Sequence, residues 1–318
     1  MCPGTAIDCS WPTGHCVGPS RLLACRAVRR KVARCCAPRS FGLPDPRIVA
    51  VVPEPVPFLA ALTAAESELD RLADKLDVPI DGRSIPCVVV LGIARQAFVM
   101  YRGLRREAAA EPLGITGPTM LRSVVEAAIL IRWIEDAPAL RVDMYMAEDD
   151  RHRLAAAEPF RKFRARRATS VSGPVFTVTA TAAMTANVAD ARARALAASE
   201  PIRKSGSVTP TVEAMALSTG DSAMWEAYEV IYRVSSPWTH LSGGSLAHHR
   251  VESRPDGSHL VVDGGYKDPA LRAMAAPSIA HLLGSTSRIC GLGIEVEART
   301  WQDAIVFWPA PLVESMRP

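Results

Sequence analysis

Two pairs of side chains in this sequence have types and spacings suited to chemistry. Arg233 and His240 lie seven residues apart in WEAYEVIYRVSSPWTHLSGGSLAHH, the stretch from Trp225 to His249, and seven residues return to nearly the same face of a helix. A histidine there can exchange a proton near neutral pH, and an arginine can stabilise charge developing on a phosphate. Tyr232, Ser236 and His240 recur at intervals of four and extend the same polar face. The second pair, Arg122 and Glu126, sits one turn apart inside the apolar MLRSVVEAAILI. Burying either charge alone is costly, so two arrangements are open. The pair is a salt bridge at the surface of a bundle, or it is a polar cluster that meets His240 across one. Pro237 removes a backbone hydrogen bond and presses on the carbonyl of Arg233, which predicts a kink between Arg233 and His240.

A third candidate is the basic run RKFRARR, Arg161 to Arg167, interleaved with Phe160 and Phe163. Arg161, Arg164, Arg166 and Arg167 could neutralise phosphates while the aromatic rings stack on bases, which makes RNA a candidate partner. The alternative is a solvated helix end, where positive charge is favoured by the helix dipole. Other chemistries lack their signatures. His240, His248 and His249 are separated by Gly243 and Gly244, which break helical register, and no H-E-x-x-H is present. There is no G-x-x-x-x-G-K and no G-x-S-x-G, and the G-L-G at Gly291 to Gly293 follows a helix pattern rather than a strand. No metal and no cofactor is expected.

The elements that must position these residues read as helices. Leu59, Leu62, Leu69, Leu72 and Leu76 recur mostly at threes and fours from Phe58 onward, and Pro79 and Gly82 close that helix. Ser84 and Pro86 open the next, which runs to about Ala110, where Glu111, Pro112 and Gly114 end it. A third starts near Pro118 and a fourth after Asp136 and Pro138. Residues 168–186, rich in Ser, Thr, Ala and Val, read as a connector or a short strand at PVFTVTA, with helix returning from Asn187 to Ser199. Thr211 and Asp221 mark two further helix starts, and Asp268 opens a last long helix reaching about Ala298. RVES and SHLVV flank Pro255, Asp256 and Gly257, which predicts a β-hairpin near 250–263. The expected architecture is all-α: a bundle of about six helices with one small hairpin.

Residues 1–57 carry six of the eight cysteines and end in a proline series. No C-x2-C pair occurs among them, so they read as a disordered Cys/Pro-rich tail and linker rather than a zinc knuckle. A single bundle domain is expected over 58–300 and an irregular tail over 301–318. With 48% hydrophobic and 22% charged residues the chain has the balance of a globular protein, and a net charge of +4 is too small to demand a nucleic-acid partner. No signal peptide is evident. The apolar segment Val88 to Met100 is interrupted by Arg95 and Gln96, and Val124 to Ile134 by Glu126 and Arg132, so neither is expected to span a bilayer. A cytoplasmic protein without membrane contact is the expectation.

The R-x3-E at Arg122 to Glu126, followed about 110 residues later by Y-x2-S-S-x3-H at Tyr232 to His240, resembles a family of bacterial and phage helical proteins that is a domain of unknown function. The likeness covers about residues 85–250 and implies a fold type without an activity. A looser resemblance is to the HEPN nucleases, whose motif is Arg, four to six residues, then His. That likeness implies a homodimer in which His240 activates or orients a ribose 2′-hydroxyl and Arg233 stabilises the phosphate, without metal. Here Val234 replaces the polar residue usual after the arginine, and Pro237 interrupts the helix. Two functions of different class follow: a metal-independent RNA endonuclease of defence or toxin type, or a non-catalytic helical module that binds a protein partner or small ligand. In the second, Arg122, Glu126, Tyr232 and His240 form a structural network.

Overall fold

The computed structural model describes residues 58–108, 116–167, 178–202, 206–233, 235, 249–253, 255, 259–263 and 268–306. The chain divides into two units, Met1–Pro55 and Val56–Pro318, and every described residue belongs to the second. The predicted tail over 1–57 lies outside the described residues. The described part is overwhelmingly helical, as the all-α reading requires.

Helix α1 (Phe58–Ala73) continues into a short 3-10 turn at Asp74–Leu76. Its buried face is Leu62, Ala65, Leu69, Leu72 and Leu76, with Glu66 set in the same stripe and fully buried. That carboxylate is matched by charge. Arg272 grips it with two hydrogen bonds and Arg105 lies 3.6 Å away. Helix α2 (Ile85–Ala108) follows a left-handed Gly82 at φ 73°, and the Ser84 Oγ faces the Cys87 amide at 3.5 Å, a long contact for a cap.

By length and composition alone, the segment of α2 from Ile85 to Arg106 is long and apolar enough to cross a membrane, a test that a buried core helix also passes. The reason is helical geometry. Arg95 and Gln96 project from the exposed face and do not interrupt the buried one, formed by Val90, Leu91, Ala94, Ala97, Phe98, Tyr101 and Leu104. That face packs against the helices Thr116–Asp136 and Asp268–Cys290, as a core helix does.

Helix α3 (Thr116–Asp136) is the centre of the bundle. It buries Leu121, Val124, Val125, Ala128, Ile129, Ile131, Trp133 and Ile134, and it packs on α2, on the helices Val212–Ser218 and Asp268–Cys290, and on the segment around Tyr232. Helix α4 (Pro138–Arg167) leaves α3 at a bend on Ala137, and α5 (Val178–Ala197) lies along it. The start of α5 corrects the connector-or-strand reading, since Val178 to Met184 are helical. The Thr- and Val-rich sequence disfavours helix by only tenths of a kcal/mol per residue, and burial of Met184, Ala191 and Ala195 outweighs it.

Helix α6 (Val212–Ser218) is capped by the Thr211 hydroxyl, which accepts from the Ala214 amide at 3.0 Å. Helix α7 (Ser222–Glu226) is capped by the Asp221 carboxylate, which accepts from the Ala223 amide at 2.9 Å. Strands β1 (His249–Ser253) and β2 (His259–Asp263) pair antiparallel with His249 opposite Asp263. Helix α8 (Asp268–Cys290) then crosses α1, α2 and α3, and α9 (Glu295–Val306) folds back on it.

The last two helices correct the sequence reading twice. The predicted single helix breaks because Gly291 and Gly293 adopt φ of 65° and 72°, which ends α8, while the Ser287 hydroxyl accepts from the Ile294 amide and donates to Glu295 to start α9. Trp301 to Val306, predicted as irregular tail, continue α9. With α6 and α7 as separate short helices, the described residues hold nine α-helices rather than about six.

Candidate functional site

The site grows from one turn of α3 and the segment that crosses it. After α7 the chain widens into a π-helical turn at Ala227–Tyr232, closed by the Arg233 amide donating to the Tyr228 carbonyl five residues back. Across the end of α7 and this turn Trp225, Tyr228 and Tyr232 stack, with ring centroids 5.6 Å and 5.5 Å apart. The ladder ends on α3. Arg122 Nη2 donates to the Tyr232 hydroxyl at 2.7 Å, and the same guanidinium lies 4.5 Å from the centre of the Tyr232 ring. A charged hydrogen bond and a cation–π contact thus join positions 110 residues apart in the chain.

Glu126 completes the group. The protein mass around it raises its carboxyl above the usual range, partly offset by the charge of Arg122 and a hydrogen bond with Tyr232. Its outer edge is nonetheless exposed, and among the described residues it forms no salt bridge. Arg122, Glu126 and Tyr232 are thus drawn together, while the contact with His240 that the cluster arrangement expects lies outside the described residues.

Glu126 and Tyr232 stand in the wall of a cleft of about 640 Å³. Its other walls are the α4 residues Tyr145, Met146, Glu148, Asp149, Arg151 and His152, the stretch leading into α6, with Ser207 and Thr209, and Met215 of α6 itself. Glu148 pins these walls together. Its carboxylate accepts from Arg151 at 2.6 Å, from the Val208 amide at 2.7 Å and from the Ser207 hydroxyl at 2.9 Å. Burial would raise this carboxyl, but the hydrogen bonds from Arg151, Val208 and Ser207 outweigh it and hold it at about 2. Tyr145 is pushed the other way: burial raises its hydroxyl, and the negative charges of Asp149 and Glu126 raise it further.

The remaining predicted site residues do not join this cleft. Arg233 is exposed, ion-pairs with Glu229 at 2.7 Å and does not line the cleft. His240, Ser236 and the Pro237 kink lie outside the described residues, so the Arg233–His240 face is not seen. The irregularity described in this stretch is the π-helical turn, placed before Arg233. Arg161, Arg164, Arg166 and Arg167 end α4, and their side chains lie outside the described residues. Among the described residues no group of three His, Cys, Asp or Glu side chains is placed to hold a metal ion.

Tyr145, Glu148 and Ser207 are what sequence reasoning missed. Glu148 belongs to an acidic patch visible in α4, but Ser207 sits in a stretch legible only as loop. Nothing local announces that the two meet.

An all-α bundle carrying a mixed polar and aromatic cleft between α3, α4 and α6 is the class that fold and site define. The chain belongs to the family of unknown function DUF5677, whose model matches residues 92–258, more than half of the sequence. The matched span contains Arg122, Glu126, Tyr232 and every wall of the cleft. No curated protein and no solved structure matches the chain. Nothing in these comparisons supports the likeness to HEPN nucleases.

Proposed function

We propose that this protein is a non-catalytic helical module that binds a small ligand in the cleft between α3, α4 and α6. The observation that carries the reading is the convergence of Glu126 and Tyr232, held by Arg122, on the wall of a cleft whose volume is that of a small-molecule site. Arg122 and the stacked Trp225, Tyr228 and Tyr232 fix the geometry of the wall, while Glu126 and Tyr145 offer polar contacts.

The test is a fragment screen by saturation-transfer NMR against wild type and Met146→Trp. Met146 lines the cleft from an exposed position, so tryptophan fills the space without disturbing the core. Fragments that bind wild type and lose their signal with Met146→Trp support the reading. A screen in which no fragment is sensitive to that substitution overturns it. RNA cleavage in EDTA that disappears in Arg233→Ala would replace it with the endonuclease reading.

A further inference from the structure

We infer that the outer face of α2 is a self-association surface, on which two copies of this chain pair α2 against α2, antiparallel about a two-fold axis. The inference goes beyond the ligand-binding reading and does not depend on it. Helix α2 is apolar on two opposite sides. One is the buried face already described. Directly across from it runs a second stripe, Ile85, Val89, Gly92, Gln96, Val99 and Gly103. Its steps alternate four and three residues, which keeps all six on one line over about five turns, or ~27 Å. The stripe is turned to solvent. Ile85 is 70% and Val99 68% exposed, Gly92 and Gln96 are exposed, and Val89 and Gly103 are half-buried. A Cβ at Gly92 would meet nothing within 4 Å, so this glycine leaves an open notch in the helix surface.

The order of sizes along the stripe points to a second copy as the occupant. Paired antiparallel about an axis level with Ala94, the stripe overlaps its own copy from end to end. Ile85 then lies over the partner's Gly103, Gln96 over the partner's Gly92, and Val89 beside the partner's Val99. A larger side chain meets a glycine at both ends and at the centre. The two Gln96 side chains flank the axis, where their amides can bond to each other and fix the register. Charge agrees with this direction. The same pairing brings Arg106, at the end of α2, to the turn before the partner's α2, which carries Asp81. Both residues are exposed, and neither has an ion pair among the described residues of its own copy. A parallel pairing would set like charge against like instead. Along the flank of the stripe Arg95 and Arg102 are already matched to Asp77 and Asp70, at 2.8 and 3.0 Å, which leaves no row of free cations there for lipid headgroups.

The test is sedimentation equilibrium of the full chain under reductant, so that no disulfide joins the copies. Wild type is expected to pass from monomer to dimer in the micromolar range. Val99→Glu and Gly92→Leu are each expected to raise the dissociation constant at least about tenfold. Gly92→Leu separates interface from fold, because the space at Gly92 is open within one copy. Its thermal midpoint in dilute solution should not fall while its dimer is lost. Arg106→Glu is expected to weaken the dimer about two- to fivefold, and adding Asp81→Arg to restore the wild-type affinity. Circular dichroism confirms that the variants are folded.

A chain that stays monomeric up to about 100 µM overturns the proposal. So does a dimer whose affinity Val99→Glu and Gly92→Leu leave unchanged, since it would lie on another face. If Arg106→Glu with Asp81→Arg weakens the dimer more than Arg106→Glu alone, the antiparallel arrangement is overturned. Flotation of a monomeric wild type with phosphatidylcholine–phosphatidylserine vesicles, lost in Val99→Glu, would assign the stripe to lipid instead.

Discussion

Removing the carboxylate of Glu148 should destabilise the protein by an amount that depends on pH in a defined way. Glu148 joins α4 to the Ser207–Val208 stretch across 60 residues of chain, and Val208 is fully buried. In Glu148→Ala the Val208 amide loses its acceptor and Arg151 loses its counter-charge. The Ser207 hydroxyl keeps a second acceptor in the Thr209 carbonyl at 3.1 Å, so its share of the loss is small. An orphaned buried amide together with lost charged hydrogen bonds amounts to about 3 kcal/mol. The protonation equilibrium expresses the same hydrogen bonds in another form and gives a similar figure. A carboxyl at about 2 when folded and roughly 4.3 when unfolded contributes about 3 kcal/mol at neutral pH.

The sign follows from the depressed value. The contribution is complete above the unfolded value and is lost as pH falls through the folded one. Urea denaturation of wild type and Glu148→Gln at several pH values is the assay, because glutamine keeps the shape and removes the titration. The gap between them should be full at pH 6, about half as large at pH 3, and gone below about 2. In Glu148→Ala the thermal midpoint at pH 7 should fall by roughly 6–12 °C. A gap that is constant from pH 6 to pH 3 would refute the reasoning, because the charge of Glu148 would then not be what holds the loop.

Four further outcomes are expected. Glu66→Ala leaves Arg272 and Arg105 facing a buried site without their anion, and should cost about 3–5 kcal/mol in chemical denaturation. A double-mutant cycle of Arg122→Ala and Tyr232→Phe should return a coupling of about 1–2 kcal/mol, since phenylalanine keeps the ring under the guanidinium and loses the hydrogen bond. Glu126→Gln should stabilise the protein at pH 7 and lose that advantage below about pH 4. The folded carboxyl is raised, so wild-type Glu126 is favourable only while protonated and turns unfavourable as pH climbs through the raised value. Cys87 and Cys290 are buried, and burial together with the neighbouring Cys87 thiol pushes the Cys290 thiol well up. Iodoacetamide mapped by mass spectrometry should therefore leave both unlabelled until urea unfolds the chain.

Much of the bundle is written in local pattern. The leucine stripe of α1, the Pro138 start, the Thr211 and Asp221 caps and the apolar run of α3 are short-range signals, because helix formation depends on neighbours three and four residues away. The same logic singled out Arg122, Glu126 and Tyr232, since charges set in an apolar helix need partners. Local pattern failed where packing overrode propensity, as in the first two turns of α5. It failed again where backbone geometry is decided by cooperation between distant groups, as in the π-helical turn and the glycine break after α8.

What only the tertiary structure decided is which partners meet. The sequence could place Tyr232 on a helix but not under the guanidinium of Arg122, and it could count acids in α4 but not show that Glu148 holds a loop 60 residues on. Hydrogen bonds and salt bridges act over a few ångströms, while the chain separations they close here run from 60 to 206 residues, as with Glu66 and Arg272. Those separations are set by how the helices pack around α3. The cleft is a product of that packing, and so is the meeting of Glu126 with Arg122 and Tyr232 at its wall.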